Sequence, residues 1–171
     1  YNEKGEGVPL VNGPDEYSES DYGRTREIRW TTEPTKMAPE NSLLFCVRGA
    51  TTGRLNIAHT DLCVGRGVAA IVAEQVQSYL NYQLMAYRPY ALGIADGTTY
   101  PSVTTSLLGR SVVAMPPIYE QHAIAKYLRE ETAHIDTLME QIDKGVERLQ
   151  EYRTALVSAA VTGQIDVRNK V

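Results

Sequence analysis

The sequence predicts an α+β fold: a small strand-rich domain over residues 1–115, one long coiled-coil-forming helix over 116–163, and a short tail over 164–171. Two observations carry this reading. Up to residue 115 the apolar residues fall in short runs broken by Gly, Pro, Asp and Thr, the pattern of strands and turns. After Pro116-Pro117 a seam spaced by three and four residues, apolar but for Glu131 and Gly145, runs from Ile124 to Ala159.

Residues 1–40 read as long loops with short strands at Val8–Val11 and Ile28–Trp30. Ser42–Val47 is a continuous apolar run ending at Arg48-Gly49, as expected of a buried strand that stops in a turn. Arg54–Ala58 alternates as a strand does. Leu62–Val64 and Val68–Val72 flank Gly65-Arg66-Gly67, which predicts a strand interrupted by a bulge or tight turn. Val76, Leu80 and Leu84 predict a helix from about Glu74 to Tyr87, with Arg88-Pro89 as its stop. A loop at Gly97-Thr98-Thr99-Tyr100-Pro101 leads to a strand near Ser111–Met115.

Pro116-Pro117 suits the first turn of the long helix, and Gly163 its C-terminus, with Ile165–Val167 trailing as an extended tail. The seam runs through Ile124, Leu128, Glu131, Ile135, Leu138, Ile142, Gly145, Leu149, Tyr152, Leu156 and Ala159. Its purely Leu or Ile register is Leu128, Ile135, Ile142, Leu149 and Leu156. A 3.5-residue repeat sustained over about five heptads argues for a coiled coil. At about 1.5 Å per residue such a helix would be roughly 68 Å long, which suits a spacer or a dimerising arm. Ile124, Leu128, Ile135, Leu138, Ile142, Leu149, Tyr152 and Leu156 are the expected helix-pairing residues. Glu131 is the expected register device, while Gly145 costs about 1 kcal/mol of helix propensity against Ala.

The chain is acidic, with a net charge of −4 spread evenly. Residues 1–115 hold ten Lys/Arg against twelve Asp/Glu, and residues 116–171 hold seven against nine. Bulk charge therefore gives no case for nucleic acid, and any such surface must be local. Eight of the ten basic residues in the first part are Arg, whose forked guanidinium suits guanine edges and phosphates. No apolar run approaches a membrane span. Cys46 and Cys63 sit in strand-like contexts and read as reduced, buried thiols of a cytoplasmic protein. The chain starts at Tyr1 in a polar stretch, which suggests a fragment lacking an N-terminal part.

Three constellations invite a catalytic reading and do not sustain it. His59, Asp61 and Cys63 share a spacing of two, but with Cys46 they form no local ligand pair of the C-x2-C or H-x3-H kind, so no metal is assigned. The turns Gly49–Gly53 and Gly65–Gly67 lack the Lys-Ser/Thr of a phosphate loop. His122 and His134 read as solvated positions on the long helix. No nucleophile–base–orienter set is evident, and neither an enzyme nor a cofactor is predicted. A recognition surface remains. Arg24, Arg26, Arg48, Thr51, Thr52, Arg54, Arg66, Thr98, Thr99, Tyr100 and Ser102 combine guanidinium forks with hydroxyl groups on glycine-bearing loops, as phosphate and base-edge contacts require. The alternative is a coiled-coil adaptor that binds protein and no DNA. Arg48, Arg54 or Arg66 substitutions distinguish the two.

Pro116-Pro-Ile-Tyr-Glu-Gln121, Ala123-Ile124, Tyr127-Leu128, Thr132–Asp136, Glu151-Tyr-Arg153 and Ala160–Asp166 together resemble the recurring segment of type I restriction-modification specificity (S) subunits. There a PP-x-x-EQ opening, a long helix and a VTG-x-ID ending follow each target recognition domain. Leu43–Arg54 and Gly97–Val103 look like parts of such a domain. The resemblance implies a non-catalytic subunit that reads one half of a bipartite site in double-stranded DNA. It also implies docking to modification (methyltransferase) subunits and, through them, to the restriction subunit. The family carries two domain-plus-helix halves with antiparallel helices. This chain has one, so its helix is expected to pair with a second S half or with another copy of itself.

Overall fold

In the computed structural model the described residues are 1–20, 23–93 and 102–166. They divide into two compact units, Tyr1–Ala125 and Lys126–Val171. In the first unit the chain forms β1 (Val8–Val11), a 3-10 turn at Pro14–Glu16, β2 (Trp30–Thr31), β3 (Met37–Ala38), β4 (Leu43–Cys46), β5 (Leu55–Ile57), β6 (Leu62–Val64) and β7 (Val68–Ile71). Helices α1 (Gln77–Gly93) and α2 (Thr105–Gly109) follow, and α3 (Ile118–Val161) starts in this unit and makes up most of the second.

The strands form two sheets, ordered β2-β1-β6-β3 and β5-β4-β7. In the first, β1 runs parallel to β6, while β2 and β3 are antiparallel to their neighbours. In the second, both β5 and β7 run antiparallel to the central β4. Leu44 of β4 packs with Val11, Leu62 and Val64, whereas Leu43, Phe45 and Val47 pack toward Leu55, Leu84 and Val103. Both faces of β4 are thus buried, and this explains why its sequence is continuously apolar rather than alternating. Truncating Leu43 or Leu44, both fully buried, to Ala would cost about 2–5 kcal/mol.

Several expectations need correction. The run through Gly65–Gly67 is not one interrupted strand: its two halves lie in different sheets, and the turn carries the chain from one to the other. Helix α1 starts later than expected, at Gln77, whose side chain accepts from the Ala73 N–H at 2.7 Å. It also continues through Pro89. Proline removes one helical hydrogen bond, but tertiary contact holds the last turn, where Leu92 fills the space a Cβ on Gly53 would need. Ser111–Met115 forms no strand. Its groups are used singly: the Ser111 hydroxyl donates to Leu107 O, Ala114 O accepts from the Tyr79 hydroxyl at 2.9 Å, and Val113 packs on the second core. Helix α2, capped by the Thr104 side chain, and β3 were not anticipated.

The first turns of α3 are packed within the first unit. Ala125 meets Val76 and Tyr79. Gln121, fully buried, donates from Nε2 to Gln75 Oε1 at 2.7 Å and to Pro116 O at 2.8 Å. In the second unit α3 ends on Gly163, whose φ of 76° is the left-handed conformation glycine accepts at a helix end. There Gln164 N–H and Ile165 N–H both donate to Ala159 O, so the tail folds back at Ile165 instead of extending. Val167 lies outside the described residues.

Candidate nucleic-acid interface

Four main-chain hydrogen bonds assemble one edge of the first unit. Val64 N–H donates to Lys36 O at 2.9 Å, and Gly65 N–H to Val11 O at 2.8 Å. Val47 N–H donates to Gly67 O at 2.9 Å, and Val103 N–H to Val47 O at 2.9 Å. Residues far apart in sequence are thereby set side by side: Lys36, Asn12, Arg66, Arg48 and Ser102. Arg48 and Ser102 face each other in an antiparallel bridge. Directly opposed residues of such a pair project to the same face.

Lys36, Arg48 and Arg66 are exposed, and their side chains make no hydrogen bond or ion pair among the described residues. Arg66 sits between two glycines that abut Asn12: a Cβ on Gly65 would overlap the Asn12 side chain, and one on Gly67 would lie 3.0 Å from Asn12 O. The nearby carboxylates of Asp15 and Glu16 are occupied by Arg29, at 3.3 and 2.7 Å. Glu16 is fully buried and also accepts from Asn12 N–H and Gly13 N–H. Its charge, beside Arg29, pushes that guanidinium's pKa above the ordinary value.

The other predicted residues are differently placed. Arg54 donates to Ser18 O at 3.1 Å and lies 6.0 Å from the ring centroid of Tyr17, whose phenol is pushed well above its ordinary pKa, chiefly by burial. Thr52 is buried, and its hydroxyl donates to Gly49 O at 2.8 Å, shaping the β4–β5 loop. The Thr51 hydroxyl lies 3.3 Å from Cys46 Sγ. Arg24 is at the opposite end of the β4–β5 pair, donating to Asn41 Oδ1 at 2.7 Å and lying 4.0 Å from Glu40. Arg26 donates to Asp15 O at 3.1 Å. Thr98, Thr99 and Tyr100 fall outside the described residues. The structure therefore unites Arg48, Arg66 and Ser102, places Arg24 at the far end of the β4–β5 pair, and ties Arg26 to Asp15 O.

Lys36 and Asn12 were missed by sequence reasoning. Asn12-Gly13 directly after β1 was a visible turn signal, whereas a lysine before a two-residue strand leaves none. The thiols of Cys46 and Cys63 are buried and unpaired. His59 is half-buried: Nδ1 lies 2.7 Å from Thr25 Oγ1 and Nε2 lies 2.9 Å from Glu27, so both ring nitrogens are engaged. His122 and His134 are exposed.

Along α3 the seam residues Ile124, Ile135, Leu138, Ile142, Leu149, Tyr152 and Leu156 are exposed in the single chain, Leu149 at 68%. Leu128 is half-buried. Aliphatic residues at heptad spacing and open to solvent are the signature of a face that another helix covers. Among the described residues no helix is long and apolar enough to cross a membrane.

A family model described as the type I restriction modification DNA specificity domain matches residues 5–148. A protein of Methanocaldococcus jannaschii described as a type I restriction enzyme MjaX specificity subunit is 31% identical over 171 residues, which is 98% of this chain but 38% of that protein. A chain solved in work on complex assembly and conformational transition of the type I R-M system superposes with a TM-score of 0.78 at 25% identity, over 93% of this chain and 39% of the other. The HsdS subunit of Thermoanaerobacter tengcongensis gives 0.67 at 26% identity, over 81% and 33%. This chain thus spans well under half the length of these relatives. With the family model covering most of its residues and the fold matching over nearly all of them, the chain belongs to the type I restriction-modification DNA specificity domain family.

Proposed function

We propose that this chain is a DNA-recognition element of a type I restriction-modification complex, reading one half of a bipartite site in double-stranded DNA. Residues 1–115 form the reading head, and α3 is the spacer. The observation that supports this reading is the hydrogen-bonded edge on which Arg48 and Arg66 stand exposed, with no side-chain partner among the described residues. A guanidinium offers a rigid pair of donors that matches guanine O6/N7 or a phosphate. Leaving such groups unpaired on an acidic domain is understandable if a ligand supplies the partner.

The chemistry belongs to other subunits in this reading. The chain reads sequence and docks methyltransferase subunits, and through them the restriction subunit, while the exposed seam of α3 pairs with a second specificity half or another copy. With a net charge of −4, the chain lacks the excess of basic residues that drives non-specific DNA binding, so the partner subunits contribute much of that attraction. Fluorescence anisotropy on duplex DNA tests the division of labour. The chain alone should bind weakly, and at least about tenfold more tightly with a modification subunit. Tight, sequence-specific binding by the isolated chain at moderate salt contradicts it. For the seam, Leu149→Lys or Ile142→Asp should abolish helix pairing in sedimentation velocity and leave the domain folded. An unchanged oligomeric state rules the pairing face out.

A further inference from the structure

We propose that Asn12 is a specificity-determining residue that selects an adenine through its free amide, alongside the arginines of the same edge. This rests on the reading of that edge as the DNA-reading surface. Asn12 follows the last residue of β1 and is exposed. Its N–H is committed to Glu16 Oε2 at 3.3 Å, but its side chain makes no hydrogen bond among the described residues.

The usual structural reasons for an asparagine before glycine are missing here. Such residues commonly bond to their own neighbouring backbone or adopt the left-handed conformation. The Asn12 amide does neither: among the described residues Asn41 is the non-glycine residue with positive φ. Instead the amide lies over Gly65, in space that any side chain at that position would fill. Glycine therefore makes room for Asn12 directly beside Arg66.

The chemistry of the position is complementary to that of its neighbours. Arg48 and Arg66 carry donors only, which suit the two acceptors of guanine. A carboxamide places one acceptor and one donor side by side in a plane, the pattern that pairs with adenine N6 and N7 in the major groove. An edge with both groups can read a mixed purine sequence, where arginines alone would read guanine.

The test is selection of a randomised duplex DNA library by the full chain bound to its modification subunit. The wild type should return a motif containing an adenine that Asn12→Ala relaxes to any base while the rest of the motif persists. Binding to the wild-type site should fall roughly five- to a hundredfold. Asn12→Gln, which keeps the amide, should retain the adenine, whereas Gly65→Ala, which displaces the Asn12 side chain, should relax the same position with unaltered circular dichroism. Recovery of an unchanged motif by Asn12→Ala overturns the assignment and leaves the functional reading intact. A wild type that selects no motif overturns both.

Discussion

At one end of the β4–β5 pair arginines are left free, and at the other an arginine is tied down. Arg48, next to the Gly65–Gly67 turn, is exposed and has no side-chain partner among the described residues, and the same holds for Arg66 within that turn. Arg24, beside Ile57 at the far end, is held by Asn41, Glu40 and Ala58 O. Arg29 is tied more firmly still, to the buried Glu16. The same side chain is thus tied down in one place and left open in another within one small domain, and the supply of acceptors separates the two. A guanidinium with protein acceptors already in place has little left for a phosphate or a base.

The sharpest way to break this comparison is to reverse charge at the free end. Arg48→Glu combined with Arg66→Glu should lower DNA affinity by at least about a hundredfold, from two lost contacts of roughly 1–3 kcal/mol each and the added repulsion. Thermal stability should barely move, since neither side chain makes a hydrogen bond or ion pair among the described residues. Retained affinity would place the reading surface elsewhere. Arg29→Ala should behave oppositely. It strands the Glu16 carboxylate in the interior with only its two main-chain donors, so about 2–3 kcal/mol of stability should go. Melting should fall by about 10 °C, with affinity per folded molecule retained. A variant that melts like the wild type would show that the pair contributes nothing net.

This contrast also marks what the sequence could and could not reveal. β4 was legible because burial on both faces leaves no polar position in Leu43–Cys46, and α3 because its period of 3.5 persists for its whole length. The edge that unites Arg48, Arg66 and Ser102 was less so. It depends on Val47 bonding to both Gly67 and Val103, pairings between segments tens of residues apart that leave no local pattern. Arg identity was visible, but freedom was not: Arg24 and Arg26 were grouped with Arg48 because nothing in the sequence near them discloses the acceptors at Asn41 and Asp15. Pro89 misled for a related reason, since the Leu92 contact that sustains the last turn of α1 is made with a loop nearly forty residues earlier.

The smallest expected effect is the most discriminating about Arg24. This residue was a sequence candidate for DNA contact, yet its guanidinium is half-exposed and lies 4.0 Å from Glu40, a geometry worth little. Its better contact is the 2.7 Å bond to Asn41 Oδ1. Asn41 adopts a φ of 67°, a conformation that asparagine tolerates better than most residues, so its backbone does not depend on Arg24. Arg24→Ala should therefore change stability by less than about 1 kcal/mol and DNA affinity by less than about twofold. Anisotropy titration and thermal melting on the same preparation measure both. A tenfold loss of affinity at unchanged melting temperature would mean that Arg24 leaves Asn41 for a phosphate when DNA arrives, and the tied end of the domain would join the free one as part of the reading surface.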